Sequence, residues 1–284
     1  MSDKRAASAS AWQGRLFILL SAVCWSMGGL LVKSSVWSGL SIAIYRGVIS
    51  FAAFRLMLGH PLRRPDRMTL LVAVCFFAQS ALYLTANKFA PAGIVTALEY
   101  TSSLYIIIGT AIAGRRLPHL RDSVICALLL LGVFLTATGG GAGSALGCAL
   151  ALISGFFYAG VFAFTARSEG DSLEPFVWGN ALYLVLIPLL FRDSALRAGG
   201  LSGFGWPTAC ALVCGVLAWF FFQSGIQRCS ALQANFIAMA EPVLSPVWPL
   251  IFLGERMSPL SLIGCALVVL TLCGAHLTER GDAA

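Results

Sequence analysis

The chain is poor in charge. Of its 284 residues only 11% are Asp, Glu, Lys or Arg, against roughly 25% in an ordinary soluble domain. That shortage excludes a water-soluble globular protein, because 58% of the residues are hydrophobic and too few ions remain to coat a surface. Histidine is scarcer still. The three present, His60, His119 and His276, stand at the ends of different apolar runs, so no histidine-based metal or catalytic cluster is expected. Phosphate-binding loops are missing as well. Gly139-Gly140-Gly141-Ala142-Gly143 lacks the strand and the Lys-Ser/Thr that such a loop requires, and reads as a flexible hinge. With no ATP-binding module, any pumping must draw on an ion gradient or a partner, and no cofactor and no metal are expected. The first 15 residues are polar and lead into a run of span length, a pattern without a cleavable signal.

What the chain has in abundance is apolar stretches of about 17–25 residues, each long enough to cross a hydrocarbon layer of ~30 Å at 1.5 Å per residue. Ten are counted: Leu16–Val32, Leu40–Leu58, Met68–Ala86, Ala92–Ala113 and Ser123–Thr138, then Ala145–Ala166, Pro175–Phe191, Trp206–Ile226, Ala231–Leu253 and Leu260–His276. The expected fold class is an all-α polytopic membrane protein of ten transmembrane helices, with the lipid bilayer as its solvent. Short connections leave no room for a soluble domain.

The net charge of +7 reflects topology rather than nucleic acid, and no nucleic-acid partner is expected. Lys4, Arg5, Arg15, Arg63, Arg64, Arg67, Arg115, Arg116, Arg121, Arg167, Arg228 and Arg280 fall on one side; Lys33, Lys88, Arg192, Arg197 and Arg256 fall on the other. This asymmetry places both termini in the cytoplasm. Eight of the nine cysteines lie inside spans and Cys229 at an inner end, where they act as small apolar residues. Cys210 and Cys214 share a helix face, but a pair with no nearby His is a weak metal signal.

Five spans and five spans suggest duplication. A shift of 140 aligns Lys88–Leu120 with Arg228–Leu260 without a gap: Leu104 meets Leu244, Gly114 meets Gly254, Arg116 meets Arg256 and Leu120 meets Leu260. An odd number of spans per copy sends the second copy into the membrane from the opposite side, so the two five-helix repeats are inverted. Such repeats are a recurring design of secondary transporters, with the substrate near the midplane. The expected division is a cytoplasmic segment 1–15, a first repeat 16–138, an outer linker 139–144, a second repeat 145–276 and a cytoplasmic tail 277–284.

The segment GIQRCSALQANFIAMAEPVLSPVWPLIFLGERMSPLSLIGCALVV, with Glu241-Pro242 and Leu253-Gly254-Glu255, resembles the closing repeat of EamA-domain proteins in the drug/metabolite transporter superfamily. SIAIYRGVISFAAF, with Arg46, resembles that family's second span. One departure stands out: the first-half position matching Glu241-Pro242 is Thr101-Ser102. The resemblance implies a fold and a transport role, with export as its usual direction, and no particular substrate.

Three groups of residues carry the expected site. Glu241 is an acid near the bilayer centre, costing at least ~2.5–3.5 kcal/mol there unless it faces a bundle interior or water. Pro242, Pro246 and Pro249 each remove a backbone donor, so they should break the ninth span and help supply that environment. Either Glu241 handles substrate or protons, or it ties two helices together. Arg46 and Glu99 both lie on the order of 10 Å deep from the outer face. They suit a direct ion pair across spans 2 and 4, or a gate and an anchor for a substrate carboxylate. Arg55, half a turn out of phase and near the inner surface, should snorkel. The expected substrate cavity comprises Trp25, Ser26, Gln79, Tyr83, Asn87, Tyr100, Thr101, Tyr158, Trp219, Gln223, Asn235 and Glu241; Gln79, Tyr83 and Asn87 recur every four residues and so share a helix face. Small residues at Gly147, Ala151, Gly155, Ala159 and Ala163 form a ridge for close helix packing.

The expectation is a secondary transporter of the bacterial inner membrane, not an enzyme, moving a small organic metabolite, with protons as a possible coupling partner and a homodimer as a possible assembly. The alternatives are a lipid-linked or nucleotide sugar carrier, which wants more cavity cations than Arg46 alone, an intramembrane enzyme, or a structural subunit.

Overall fold

In hydrocarbon every backbone N–H and C=O must find its partner within the chain, and a helix is the local solution. The computed structural model describes residues 2–115, 120–138, 144–165, 173–198, 200–226, 228, 237–238 and 240–281. Among these there is helix on each of the ten apolar runs and no strand. The protein is an all-α polytopic membrane protein.

The first half comprises α1 (Ser2–Ser26), α2 (Gly28–Ser34), α3 (Gly39–Leu58), α4 (Arg67–Ala86), α5 (Ala92–Glu99), α6 (Ser102–Ala113) and α7 (Leu120–Thr138). The second half begins with α8 (Ala145–Thr165), α9 (Glu174–Val185), α10 (Ile187–Leu190), α11 (Ser194–Ala198) and α12 (Gly205–Cys210). A π-helical stretch, Ala211–Leu217, leads into α13 (Ala218–Ile226); α14 (Ala240–Leu244), α15 (Val247–Leu253) and α16 (Pro259–Gly281) complete it. Six continuous or bent helices have the length and composition to cross a membrane: Trp12–Ser34, Gly39–Leu58, Arg67–Ala86, Ala92–Ala113, Ala145–Thr165 and Gly205–Gly225. Ser123–Thr136, Ala240–Leu253 and Pro259–Gly274 are shorter apolar helices. The expected seventh span is divided at Leu186, ahead of Pro188.

Local chemistry sets the ends. Side chains of Ser38, Asp66, Ser144 and Ser258 each accept from the N–H three residues on, with Asp66 to Thr69 at 2.8 Å, satisfying donors that a helix start leaves open. The Thr69 hydrogen bonds hold the exposed Asp66 carboxyl below its usual range. Gly59 (φ 69°) and Gly254 (φ 65°) turn the chain out of α3 and α15 in the left-handed conformation that favours glycine.

Most of the extensive helix pairings come in couples, although α3 on α4 has no counterpart of that extent between the seventh and eighth spans among the described residues. α4 lies on α8, and α1 on α13; α4 lies on α9, and α3 on the π-helical stretch; α5 and α6 lie on α8, and α14 on α1. Exchanging the first five spans with the last five converts each pairing into its partner. The pairings α3 with α9, α7 with α16 and α5 with α14 convert into themselves. The small-residue ridge works as close packing over most of its length: a Cβ at Gly155 would sit 2.8 Å from the Glu99 carbonyl oxygen, and one at Gly147 2.8 Å from Ala90 Cβ. Ala163 is exposed, so the ridge ends at Ala159.

Candidate functional site

The fourth span breaks where no proline or glycine announces it. Helix α5 stops at Glu99, α6 starts at Ser102, and the Thr101 hydroxyl donates to the Leu98 carbonyl at 2.6 Å. Threonine and serine side chains compete for backbone partners in this way, and Thr101-Ser102-Ser103 supplies three in a row. Because of the break, adjacent residues serve different neighbours. Glu99 Oε1 accepts from Gln79 Nε2 at 2.7 Å and from Ser154 Oγ at 2.6 Å. Tyr100 donates its hydroxyl to Glu241 Oε2 at 2.9 Å and meets Tyr158 edge-on, with ring centroids 6.4 Å apart. Both acids are buried, Glu99 at 4% and Glu241 at 8% exposure. Among the described residues neither has a cationic group within 4.0 Å.

One turn nearer the start of α5, Thr96 bonds Tyr83 of α4 and Ser245 of the ninth span, each at 2.9 Å. The fourth and ninth spans therefore run antiparallel here, Thr96 meeting Ser245 and Tyr100 meeting Glu241. Applying the 140-residue shift to both partners turns the Tyr100–Glu241 contact into Thr101–Ala240, the position beside it.

Among the described residues the ninth span opens at Ser245-Pro246. Helix stops at Leu244 and resumes at Val247, with Pro246 as the cap of α15. Pro249 is the third residue of α15, in the first turn, where a helix leaves N–H groups without intrahelical partners and a missing donor costs little. Pro242 lies inside α14, with the chain helical on both sides of it. Of the three prolines, Pro246 stands at the described break.

The direct Arg46–Glu99 ion pair is not formed. Arg46 Nη1 donates to Ser80 Oγ at 3.1 Å, while Glu99 takes Gln79 and Ser154. Consecutive residues of α4 stand between the two charges, each facing one of them. No carboxylate lies within 4.0 Å of Arg46 among the described residues. Its side chain runs along the π-helical stretch, where a Cβ at Gly215 would lie 3.2 Å from Arg46 Cγ and 2.5 Å from Ser50 Oγ. Ser50, one turn along α3, is buried, and its hydroxyl has no partner among the described residues. A π-turn widens the helix by one residue and recurs at functional sites; nothing in the composition of Ala211–Leu217 announced it. Arg55 donates to the His60 carbonyl at 3.0 Å, at the end of its helix.

The other expected lining residues separate into groups. Gln79, Tyr83, Tyr100, Tyr158 and Glu241 converge with Glu99, and Thr101 shapes the break beside them. Trp25 and Trp219 instead join an aromatic cluster: centroids 5.5 Å apart, with Phe54, Phe76, Phe176 and Phe222 around them. Ser26 is fully buried and accepts from Trp248 Nε1 at 2.8 Å. Asn87 is also fully buried, donating to the Tyr83 carbonyl; its Oδ1 faces Gly29, where the bend after Met27 lets the backbone approach Ala92. Gln223 is partly exposed on α13, and Asn235 lies outside the described residues. Thr96, Ser154, Ser245, Ser80 and Ser50 were not singled out from sequence. Ser154 stands inside an otherwise apolar run and carries a readable signal; a hydroxyl that satisfies its own helix looks the same. Among the described residues no three His, Cys, Asp or Glu converge to hold a metal ion.

Charged straps lie at both ends. At one, Lys33 meets Glu255 at 2.6 Å and Glu255 also accepts the Ala92 N–H at 2.9 Å, tying the ends of spans 1, 4 and 9. Lys88 donates to the Ser35 carbonyl; burial, then the neighbouring Lys33, lowers its ammonium to about 8. Asp193 accepts the N–H groups of Ser38 and Ala195. Burial acts to raise its carboxyl, but hydrogen bonds from Ser41, Ser38 and Ala195 prevail and hold it down at about 2. At the other end Glu174 lies 4.0 Å from His60 and accepts the Arg63 N–H.

Comparison with known proteins gives the arrangement a context. Residues 145–275 match the EamA-like transporter family. The chain is 23% identical to the uncharacterized transporter YcbK of Bacillus subtilis, with 92% of each chain covered. It is 24% identical to an uncharacterized transporter of Archaeoglobus fulgidus, covering 90% of this chain and 93% of that one. With the threonine/homoserine exporter RhtA of Escherichia coli it shares 25% identity over 94% of this chain and 92% of the relative. A crystal structure 21% identical superposes with a TM-score of 0.59, over 95% of this chain and 99% of that chain, which shows the fold.

Proposed function

Because residues 145–275 match the EamA-like transporter family and relatives named as transporters align along nearly the whole chain, we propose that the chain is a secondary transporter, not an enzyme, that moves a small amino-acid-like or amphipathic metabolite outward across the bacterial inner membrane. Two inverted five-helix repeats, 16–138 and 145–276, rock about the contact between the fourth and ninth spans, and both termini face the cytoplasm. Glu241 lies on that contact and exchanges a proton or a substrate cation. Arg46, which has no carboxylate partner among the described residues, receives a substrate carboxylate. The observation that carries this reading is the buried Glu241, joined through Tyr100 to the opposite half at the point where the halves exchange. The self-converting helix pairings support the inverted repeat, and the relative named as a threonine/homoserine exporter supports the substrate class and the direction.

The test is transport in inverted membrane vesicles loaded against a panel of amino acids and amphipathic metabolites, with and without an uncoupler. At least one compound should accumulate, and the uncoupler should abolish the accumulation. Glu241→Gln should insert normally and lose about a hundredfold or more of the rate, the size of a missing proton-transfer group. Wild-type rates in that variant, or no movement of any compound by the wild type, would contradict the proposal.

A further inference from the structure

A hydroxyl inside a helix commonly turns back on its own backbone. Thr85, Thr136 and Thr271 each do so, donating to the carbonyl four residues earlier at 2.7 Å. Ser50 does not. It is 2% exposed, and its hydroxyl has no partner among the described residues, although a buried polar group left unsatisfied carries its full desolvation cost. Its Oγ faces the π-helical stretch instead, 2.5 Å from the position a Cβ would take at Gly215; Arg46 Nε lies 3.3 Å from the same position. Ser21 Oγ, Trp37 Nε1 and Asn87 Oδ1 are also buried without a partner among the described residues. Of these atoms, Ser50 Oγ is the one that meets a charged side chain across a glycine.

The guanidinium is open on a matching edge. Ser80 takes Nη1, and the edge formed by Nε and Nη2 has no hydrogen-bond partner among the described residues. Such an edge can hold a carboxylate by two parallel bonds. Arg46 and Ser50 are four residues apart on α3, so one helix face presents both, and Gly215 adds no side chain between them.

We propose that Arg46 and Ser50 form a single seat for a substrate carboxylate, which lies along the Nε–Nη2 edge and takes a further hydrogen bond from the Ser50 hydroxyl. The inference rests on the transport reading and deepens it, assigning Ser50 as a binding residue and a free carboxylate as the group recognised. The donors and acceptors balance: each carboxylate oxygen has two lone pairs, the guanidinium edge uses one on each, and the hydroxyl proton, which nothing else holds among the described residues, takes a third.

The test labels Ser50→Cys, in the full-length protein in lipid nanodiscs and a background whose native cysteines are replaced, with methanethiosulfonates of opposite charge. Rates are taken relative to those of free cysteine. The sulfonate-bearing reagent should react about tenfold or more faster than the trimethylammonium reagent, the scale on which a charged cleft concentrates its counter-ion. Arg46→Gln should remove that preference. Acetate should slow the labelling, and acetamide should not. Should Arg46→Gln fail to insert, the comparison of acetate with acetamide decides alone. Equal relative rates for the two reagents, labelling by neither, or protection by inorganic phosphate in place of acetate overturns the proposal. Any of these with transport intact would leave the transporter reading standing. An anion-selective, acetate-protected thiol in a protein that moves no metabolite would sink the transporter reading alone.

Discussion

At the scale of single residues, depth was legible in the sequence and azimuth was not. Arg46 and Glu99 stand at matching depths, and that much was readable from their distance to the span ends. Which way each points depends on helix rotation and on what α4 inserts between them, here Gln79 and Ser80. The guanidinium, with no carboxylate partner among the described residues, has a measurable consequence. A hydrogen bond to a charged group is worth roughly 1.5–3 kcal/mol, and 1.4 kcal/mol is a factor of ten in affinity. Arg46→Gln is therefore expected to raise KM for a carboxylate-bearing substrate by about 10- to 100-fold and to leave the analogous amide nearly unaffected. Competition assays with an amino acid and its amide check this directly. Equal losses for both compounds would mean that Arg46 shapes the protein rather than the substrate.

At the scale of elements, the helices were legible because length and apolarity leave a lipid-bound chain few options, and their interruptions were only partly so. Prolines marked the ninth span, and among its described residues the break falls at Ser245-Pro246, while Pro249 falls in a first turn that has no bond to lose. The fourth span breaks through the hydroxyl of Thr101, and the eighth widens into a π-turn over Ala211–Leu217. Neither carries a proline at its interruption: the fourth-span break uses a local hydroxyl bond from Thr101 to Leu98, and the π-turn holds only Gly215, signals too common in spans to be read as breaks. The ridge on α8 was readable as small residues at a four-residue period, and the structure gives it a stringent role at Gly155, against the Glu99 carbonyl. Gly155→Leu should destabilise the protein by about 1–3 kcal/mol through overpacking, and displace Glu99 in doing so. Ala163→Leu, at the exposed end of the same ridge, should change stability by less than about 0.5 kcal/mol. Thermal unfolding in detergent compares the two, and equal effects would refute the assignment of the packed face.

At the scale of the whole molecule, the proposed duplication rests on a thin alignment, with helix pairings that mostly convert into one another in its support. What sequence could not supply was the straps, since Lys33 and Glu255 lie far apart in the chain and close the same end. Asp193 gives that end a pH signature. Its carboxyl is held at about 2, below an unfolded value of about 3.9, so its stabilising effect is complete above the unfolded value and is lost as pH falls toward the folded one. Asp193→Asn should flatten the acid limb of the stability curve between about pH 4 and pH 2 and leave its slope at neutral pH unchanged. Acid unfolding of the variant beside the wild type measures this, and superimposable acid limbs would exclude the role.

The central claim is that the contact between the halves opens to each side of the membrane in turn. It is tested most directly by a single cysteine at Thr101, beside Tyr100, in a background whose native cysteines are replaced. Membrane-impermeant thiol reagents should label it from the outer face of intact cells and from the inner face of inverted vesicles, with substrate slowing both reactions. Labelling from one face only, or from neither, would contradict the account.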